Sequence, residues 1–311
     1  MTVRLRSKVI KKEISALVLL SMILFFGICL SGEISEYIKD GIRLATELVI
    51  PTSFPFMIIS DVYVYYGKPG DIRLLRKAFT AIFGISDTDL PAFICGNICG
   101  FPIGAKMVAD IYSLGRISKD EAERLLPLCN NPSCAFIIGG VGLGIYHDMR
   151  VGILLLTATY FATALCGMLT RKKCNKIVFN EHNIEQKFDF VVSVKSAGLN
   201  SIGIISFISV FSAINGIIKK RVKYAPILYI ISAFSEVTNA VKTFSDSTLL
   251  SPRISLTLTA FSLGFGGICV GMQSAVFATN LGLKMKKYYL IKLLNALISA
   301  SAFSILYLVI K

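Results

Sequence analysis

Two lysine–aspartate pairs are the residues of this chain whose types and spacing best suit chemistry. Lys106 precedes Asp110 by four residues, and Lys242 precedes Asp246 by the same interval. Side chains four residues apart lie on one face of a helix, where opposite charges form an ion pair. A lysine inside a membrane segment costs roughly 3 kcal/mol unless it pairs or faces water. Two interpretations follow: each pair is a local salt bridge, or the two ammonium groups together form a cationic site for an anion.

Helix-weakening residues interrupt the apolar stretches at four places, residues 51–55, 100–104, 130–133 and 264–267. Transporters bind substrate near the bilayer midplane with the backbone groups that such breaks expose. We therefore predict that the breaks surround a central cavity; packed helices that Gly and Pro merely kink are the alternative. The predicted substrate-binding residues are Lys106, Lys242, Gly100, Pro102, Gly104, Asn130, Asn131, Ser133, Gly264, Gly266 and Gln273. The predicted gating or proton-coupling carboxylates are Asp110, Asp246, Glu236 and Glu47.

Other chemistry finds little support in the sequence. The eight cysteines lie mostly in apolar runs, where Cys acts as a small hydrophobic residue. Neither close pair, Cys95 with Cys99 nor Cys129 with Cys134, has the two-residue spacing of a zinc knuckle. The chain contains no P-loop, nucleophile elbow or H-E-x-x-H motif. We therefore expect no enzyme activity, no metal site and no cofactor.

The elements that must position these residues are membrane helices. Hydrophobic residues make up 54% of the chain and charged residues 17%. Charge-free runs near or above the roughly 20 residues that span hydrocarbon occur at 14–30, 125–146, 151–170, 196–218, 254–283 and 293–310. Lysine and arginine number 33 against 19 acidic residues, a net charge of +14, and they cluster at the ends of these runs. That clustering indicates cytoplasmic anchoring and not nucleic-acid binding.

The predicted fold is an all-α integral membrane protein: a polytopic helical bundle of about eight crossings, with broken or re-entrant helices and an internal two-fold repeat. An uncleaved N-terminal transmembrane helix (1–32) precedes a first repeat (33–173), a polar linker (174–189) and a second repeat (190–311). Each half contains one Lys-x-x-x-Asp motif, a break about twenty residues later and a plain final helix. Residues 48–60 are predicted to break at Pro51 and Pro55, and residues 68–86 to lie in the membrane interface.

Several stretches resemble one known family. LVIPTSFP at 48–55, GFPIGAK at 100–106, ISKDEAERLL at 117–126 and LGFGGICVG at 263–271 are similar to the YlbJ-type sporulation integral membrane proteins. That family belongs to a broader group with a nucleoside-recognition or Gate domain, and the resemblance covers most of residues 40–305. It marks Gly100, Pro102, Gly104 and Lys106 as the core motif. It also implies transport, since the family is associated with moving dipicolinic acid across the outer forespore membrane.

We therefore expect a transporter of a small organic anion that is embedded in a lipid bilayer and needs no nucleic-acid partner. Dipicolinic acid is the cargo that the resemblance implies. Two alternatives stay open: a nucleoside-type permease, which the Gate name suggests, and a non-transporting scaffold of the sporulation membrane.

Overall fold

The computed structural model describes residues 30–66, 73–86, 88–172 and 188–310, together with residue 21. All regular elements among these residues are helices, as predicted. The predicted N-terminal transmembrane helix (1–32) lies almost entirely outside the described residues, and so does most of the predicted linker (174–189).

The first half contains seven described α-helices. Helix α1 (Ser31–Leu44) continues through a π-helical turn (Ala45–Val49) into α2 (Ile50–Tyr66). Three shorter helices follow, α3 (Arg73–Phe83), α4 (Leu90–Cys99) and α5 (Ile103–Ser113). Helix α6 (Lys119–Cys129) leads over a break into a π-helical segment (Phe136–Ile145), and α7 (Met149–Leu169) ends this half.

The second half contains six α-helices among the described residues. The long α8 (Phe190–Arg221) is followed by two short helices, α9 (Ala225–Ser235) and α10 (Val237–Ser245). Helices α11 (Pro252–Phe265) and α12 (Gly267–Thr279) meet at Gly266, and α13 (Lys286–Ile310) ends the described chain.

Side-chain caps define where several of these helices begin. Ser118 Oγ accepts a hydrogen bond from the Glu121 amide at the start of α6 (3.2 Å). Asp148, Asp189 and Ser251 cap α7, α8 and α11 in the same way. Such caps satisfy backbone N–H groups that have no partner within the first turn, so the sequence fixes these helix starts locally.

Four described helices are long and apolar enough to cross a membrane: Met149–Leu169, Phe190–Arg221, Pro252–Thr279 and Lys286–Val309. Four shorter apolar helices accompany them, at Ser53–Val64, Leu90–Cys99, Phe136–Ile145 and Ala225–Ser235. Large apolar side chains on α8, such as Leu199 and Ile202, are exposed, which suits contact with lipid. The fold is therefore a helical membrane protein, while the eight crossings and the internal repeat stay predictions.

The predicted break at Pro51 and Pro55 is wrong, because α2 runs through both prolines as one helix. The π-helical turn just before Pro51 shifts the backbone bonding, so that the Ile50 amide donates to the Ala45 carbonyl. Pro51 then lies in the first turn of α2, where no intrahelical N–H bond is needed. Pro55 lies inside the helix, where it removes one bond without ending it.

Helix α13 is the centre of the packing. It contacts α11, α7 and α6, and a separate contact joins α1 to α8. At the end of α8, Lys220 and Arg221 form ion pairs with Glu33 of α1 (2.8 and 3.4 Å). The position of α13 between both halves brings their interrupted segments together.

Candidate functional site

A cavity of about 180 Å³ lies where the interrupted segments meet, and we call it the break cavity. Of the four predicted breaks, residues 51–55 contribute Ser53, residues 100–104 contribute Gly100 and Phe101, and residues 130–133 contribute Ser133. Gly264 and Gly266 do not line it, but α12, which begins at Gly267, contributes Val270 and Gln273. The remaining polar lining residues are Cys99, Glu236 and Thr238.

Two glycines of the GFPIGAK stretch allow the chain to approach the neighbouring break closely. Gly104 in α5 lies against the backbone at the end of α6, where an added Cβ would be 1.7 Å from the Cys129 carbonyl oxygen. Gly100 has a φ of +87°, a backbone conformation that residues with a side chain rarely adopt. An added Cβ would be 2.7 Å from the Ser133 amide nitrogen. Pro102 is buried between them and leads into α5. This motif is therefore needed for backbone packing of the two breaks.

Beside the break cavity lies a group of buried polar residues that we call the amide cluster: Asn97, Asn130, Asn131, Lys292 and Asn295. The Lys292 ammonium donates to the Asn130 backbone carbonyl (3.0 Å) and to Asn131 Oδ1 (2.9 Å). Asn131 Nδ2 donates to Asn97 Oδ1 (2.9 Å), and Asn130 Nδ2 donates to the hydroxyls of Ser274 and Tyr288, each at 2.8 Å. The break after α6 is thus held by side chains from α4, α12 and α13.

Asn295 connects the breaks of the two halves. Its Nδ2 lies 3.2 Å from Asn131 Oδ1 in the first half and 3.3 Å from the Gly264 carbonyl in the second. Gly264 packs so closely on α13 that an added Cβ would be 2.8 Å from the Ala296 Cα, and Gly266 ends α11 in a left-handed conformation. The predicted break residues 130, 131, 264 and 266 therefore lie around α13.

Lys106 is buried, with 5% of its surface exposed, and two carboxylates neutralise it. Its ammonium forms ion pairs with Asp110 (2.8 Å), the predicted partner, and with Asp61 of α2. Ser193 Oγ of α8 donates to the other oxygen of Asp61 (2.5 Å). Because two carboxylates surround one ammonium, the charge of Lys106 is compensated within this cluster, and its role in anion binding stays a prediction.

Lys242 differs from Lys106 because it is exposed and lines another cavity. No carboxylate of the described residues forms an ion pair with it, so the predicted local salt bridge with Asp246 is not found. Asp246 is exposed at the end of α10 and accepts a hydrogen bond from Ser245 Oγ (3.3 Å). Lys106 lines neither this cavity nor the break cavity.

The cavity at Lys242 has a volume of about 430 Å³, and we call it the basic cavity. Lys219 of α8 also lines it and has no ion-pair partner among the described residues. Glu47, a predicted coupling carboxylate, is exposed here and pairs with Arg43 (2.9 Å). The other polar lining residues are Tyr37, Asp40, Ser212, Asn215, Ser232, Thr238, Asn239 and Thr243. Three cations against two carboxylates leave the lining with a net positive charge.

Glu236 lies at the junction of the two cavities. It is 4% exposed and caps α10, where its carboxylate accepts hydrogen bonds from the amides of Thr238 (3.0 Å) and Asn239 (2.8 Å). Glu236 lines the break cavity, Asn239 lines the basic cavity, and Thr238 lines both. No described cation pairs with Glu236, so its carboxylate is held by the two helix N–H groups and by the side-chain amide of Asn239, whose Nδ2 donates to it (2.9 Å).

A surface ion network joins the helix ends outside the spanning segments. Asp120 at the start of α6 pairs with Lys172 and with Lys287, and Lys287 also pairs with Glu123 (3.2 Å). Hydrogen bonds from Lys172 and then Lys287 lower the pKa of Asp120 from 3.8 to about 2. This network fixes the ends of α6, α7 and α13 relative to one another.

Reasoning from the sequence missed several residues of these sites: Asp61, Asn97, Lys219, Lys292 and Asn295. Lys219 belongs to the basic cluster after the 196–218 run and looked like a membrane anchor. Lys292 and Asn295 lie three residues apart on one helix face, directly beside an apolar run, and that spacing was the available signal.

Sporulation integral membrane protein YlbJ of Bacillus subtilis (strain 168) is 25% identical to this chain over 313 aligned positions. The alignment covers 85% of this chain and 75% of that protein. The chain is similar to YlbJ. The predicted resemblance to YlbJ-type proteins is thereby confirmed, and it agrees with the apolar helices in indicating an integral membrane protein. No family model matches the chain, so the Gate domain stays a prediction. No solved structure matches it either.

Proposed function

We propose that this protein transports a small organic anion across a membrane during spore formation. The observation that carries the proposal is the pair of adjoining cavities: one presents two unpaired lysines, and the other collects the ends of interrupted helices. The basic cavity then receives the anion and the break cavity is the inner site. Dipicolinic acid is the proposed cargo, and the outer forespore membrane the proposed location, because the resemblance to YlbJ-type sporulation proteins implies both.

The lining of the basic cavity supports an anionic ligand. Lys219 and Lys242 are both free of ion pairs with the described carboxylates. Asn215 adds a buried Nδ2 group without a hydrogen-bond partner among the described residues. Unpaired ammonium and amide donors are the groups that recognise carboxylates.

The order of the helices supports a two-fold repeat with re-entrant elements. In each half a pair of short helices with a break between them, α4–α5 or α9–α10, precedes an interrupted longer element. The interrupted elements are α6 with its π-helical continuation and α11 with α12, and each is followed by a plain spanning helix. Four long and four short apolar helices are also compatible with eight crossings. Repeats of this kind place the substrate site between them.

Glu236 is proposed as the proton-coupling group. A carboxylate that faces the break cavity repels an anionic cargo unless it takes up a proton first. An anion and a proton would therefore enter the break cavity together. Asp110, Asp246 and Glu47 are less suited to this role, because Asp110 and Glu47 are ion-paired and Asp246 lines neither cavity.

Flux of labelled dipicolinate into proteoliposomes tests the role of the basic cavity. Lys219→Ala and Lys242→Ala each remove a charge-assisted contact worth about 1.5–3 kcal/mol, so uptake at low substrate concentration should fall roughly 10- to 100-fold. Lys223→Ala is the matched control, since Lys223 belongs to the same basic cluster but does not line the cavity. Equal uptake by all three variants and the wild type would contradict an anion site in the basic cavity.

A second flux experiment tests proton coupling. Glu236→Gln keeps the size of the side chain and removes its charge, so uptake by the variant should lose its dependence on an inward proton gradient. The wild type should accumulate dipicolinate when the outside is acidic. A wild type that shows no response to the gradient, or a variant that keeps the full response, contradicts the assignment of Glu236.

A nucleoside-type permease is the second candidate, and the lining of the break cavity favours it. That lining contains no lysine or arginine, and it offers Phe101 and Phe136 beside the hydroxyl and amide groups of Thr238 and Gln273. Such a lining suits a neutral aromatic solute. Competition between labelled uridine and dipicolinate separates the two cargoes. If neither compound shows saturable flux under any gradient, a non-transporting scaffold is favoured.

A further inference from the structure

Lys292 is a buried cation whose surroundings are unusual. Only 1% of its surface is exposed, and no carboxylate of the described residues forms an ion pair with it. Burial of a charge without a counter-charge is strongly unfavourable unless other groups solvate it. The groups that solvate the ammonium are two oxygen atoms of the break after α6, the Asn130 carbonyl (3.0 Å) and Asn131 Oδ1 (2.9 Å).

The break after α6 has the chemistry of a cation site. The C-terminal end of a helix carries partial negative charge on carbonyl groups that lack intrahelical partners. In transporters with interrupted helices, such freed carbonyl groups coordinate a monovalent cation. Asn130 directly follows α6, so its carbonyl is one of these groups, and Asn131 adds a side-chain oxygen.

Two further oxygen atoms belong to the same cluster. Asn130 Oδ1 and Asn295 Oδ1 are buried without a hydrogen-bond partner among the described residues. Asn295 also contacts Asn131 Oδ1 through its Nδ2, at 3.2 Å. The amide cluster thus holds more oxygen acceptors than the single ammonium of Lys292 satisfies. Oxygen atoms at an unwound helix end are the groups that coordinate Na⁺ in transporters with interrupted helices.

We propose that the Lys292 ammonium is a tethered cation that occupies the position of a free monovalent ion at this break. The protein then needs neither Na⁺ nor K⁺ to hold its interrupted helices together. Removing the ammonium should turn the break into a site for a small free cation. This inference concerns the helix break and does not depend on which solute the cavities bind.

Thermal unfolding in detergent tests the inference without any transport assay. The chain has no tryptophan, but its buried thiols, such as Cys129, can report unfolding through a thiol-reactive dye. Wild type, Lys292→Ala and Lys292→Arg are each titrated with NaCl, KCl, LiCl or methylammonium chloride, at constant ionic strength with choline chloride. Lys223→Ala is the matched control, since it removes an exposed lysine that lines neither cavity.

Lys292→Ala should melt at a lower temperature than the wild type and should recover roughly 3 °C or more, saturably, with at least one small cation. Wild type, Lys292→Arg and Lys223→Ala should show no saturable response. A saturable response of the wild type to Na⁺ or K⁺ would overturn the inference, as would a Lys292→Ala variant that no cation stabilises. Lys292→Met fills more of the vacated space and repeats the test if the alanine variant does not fold. If neither neutral variant folds, the wild-type titration carries the test, because a filled site cannot respond to added cations.

Discussion

Asn131 should be one of the most sensitive positions for stability, because its side chain joins three parts of the amide cluster. In Asn131→Ala the Lys292 ammonium loses one of its two hydrogen-bond acceptors, an interaction of a charged group worth about 1.5–3 kcal/mol. Asn97 Oδ1 also loses the Asn131 donor, and a buried acceptor without a partner costs about 1–3 kcal/mol. Leu128 O keeps a donor, since Asn97 Nδ2 lies 3.1 Å from it. The expected loss of unfolding free energy is therefore roughly 2.5–6 kcal/mol.

The same thiol-dye melt measures this loss. A shift of about 2 °C per kcal/mol, the low end for larger domains, gives a melting temperature at least roughly 5 °C lower for Asn131→Ala. Asn280→Ala is the matched control, because Asn280 is exposed and donates only to the Val276 carbonyl (3.2 Å). Asn131→Asp keeps an oxygen acceptor for Lys292 and should be less destabilising than alanine. An Asn131→Ala variant that melts like Asn280→Ala would refute the assignment of a charged hydrogen bond to this site.

Two further predictions concern packing and pH. Gly104→Ala places a Cβ on the Cys129 carbonyl oxygen, so α5 and α6 must separate, at a cost of about 1–3 kcal/mol or more. The thiol-dye melt should show a lower melting temperature for this variant. An unchanged melting temperature contradicts the close packing. The pKa of Asp120 is lowered by Lys172 and Lys287, so the wild type should exceed Asp120→Asn in stability above pH 3.8 and lose this small advantage as the pH falls toward about 2. A difference between the two proteins that does not change with pH would exclude an ionic contribution.

The sequence predicted the breaks well because their causes are local. Glycine, proline and asparagine weaken a helix wherever they stand, and the breaks at residues 100–102, 130–133 and 266 are present in the structure. The failure at Pro51 and Pro55 has a different cause. A π-helical turn places Pro51 in the first turn of α2, and Pro55 removes one bond without ending the helix. No short-range signal in the sequence predicts that π-helical turn.

The partners of the charged residues were less predictable because they depend on tertiary packing. Asp110 was found because it follows Lys106 by one helical turn, whereas Asp61 precedes Lys106 by 45 residues and lies on another helix. Lys292 shows the same limit. The helical spacing of Lys292 and Asn295 indicates that this face of α13 is turned away from lipid. Only the assembled fold shows that the face contacts the break after α6.

The different fates of Lys106 and Lys242 follow from the helices that pack beside them. Helix α2 supplies Asp61 to Lys106, which leaves that lysine neutralised and buried. Helix α8 contains no acidic residue, and it supplies Ser212, Asn215 and Lys219 to the cavity that Lys242 lines. Lys242 therefore keeps its charge available to a ligand, although both lysines begin the same Lys-x-x-x-Asp pattern. If the two halves are repeats, one lysine now stabilises the fold and the other is free to bind an anion, so the proposed anion site requires only one of the two motifs.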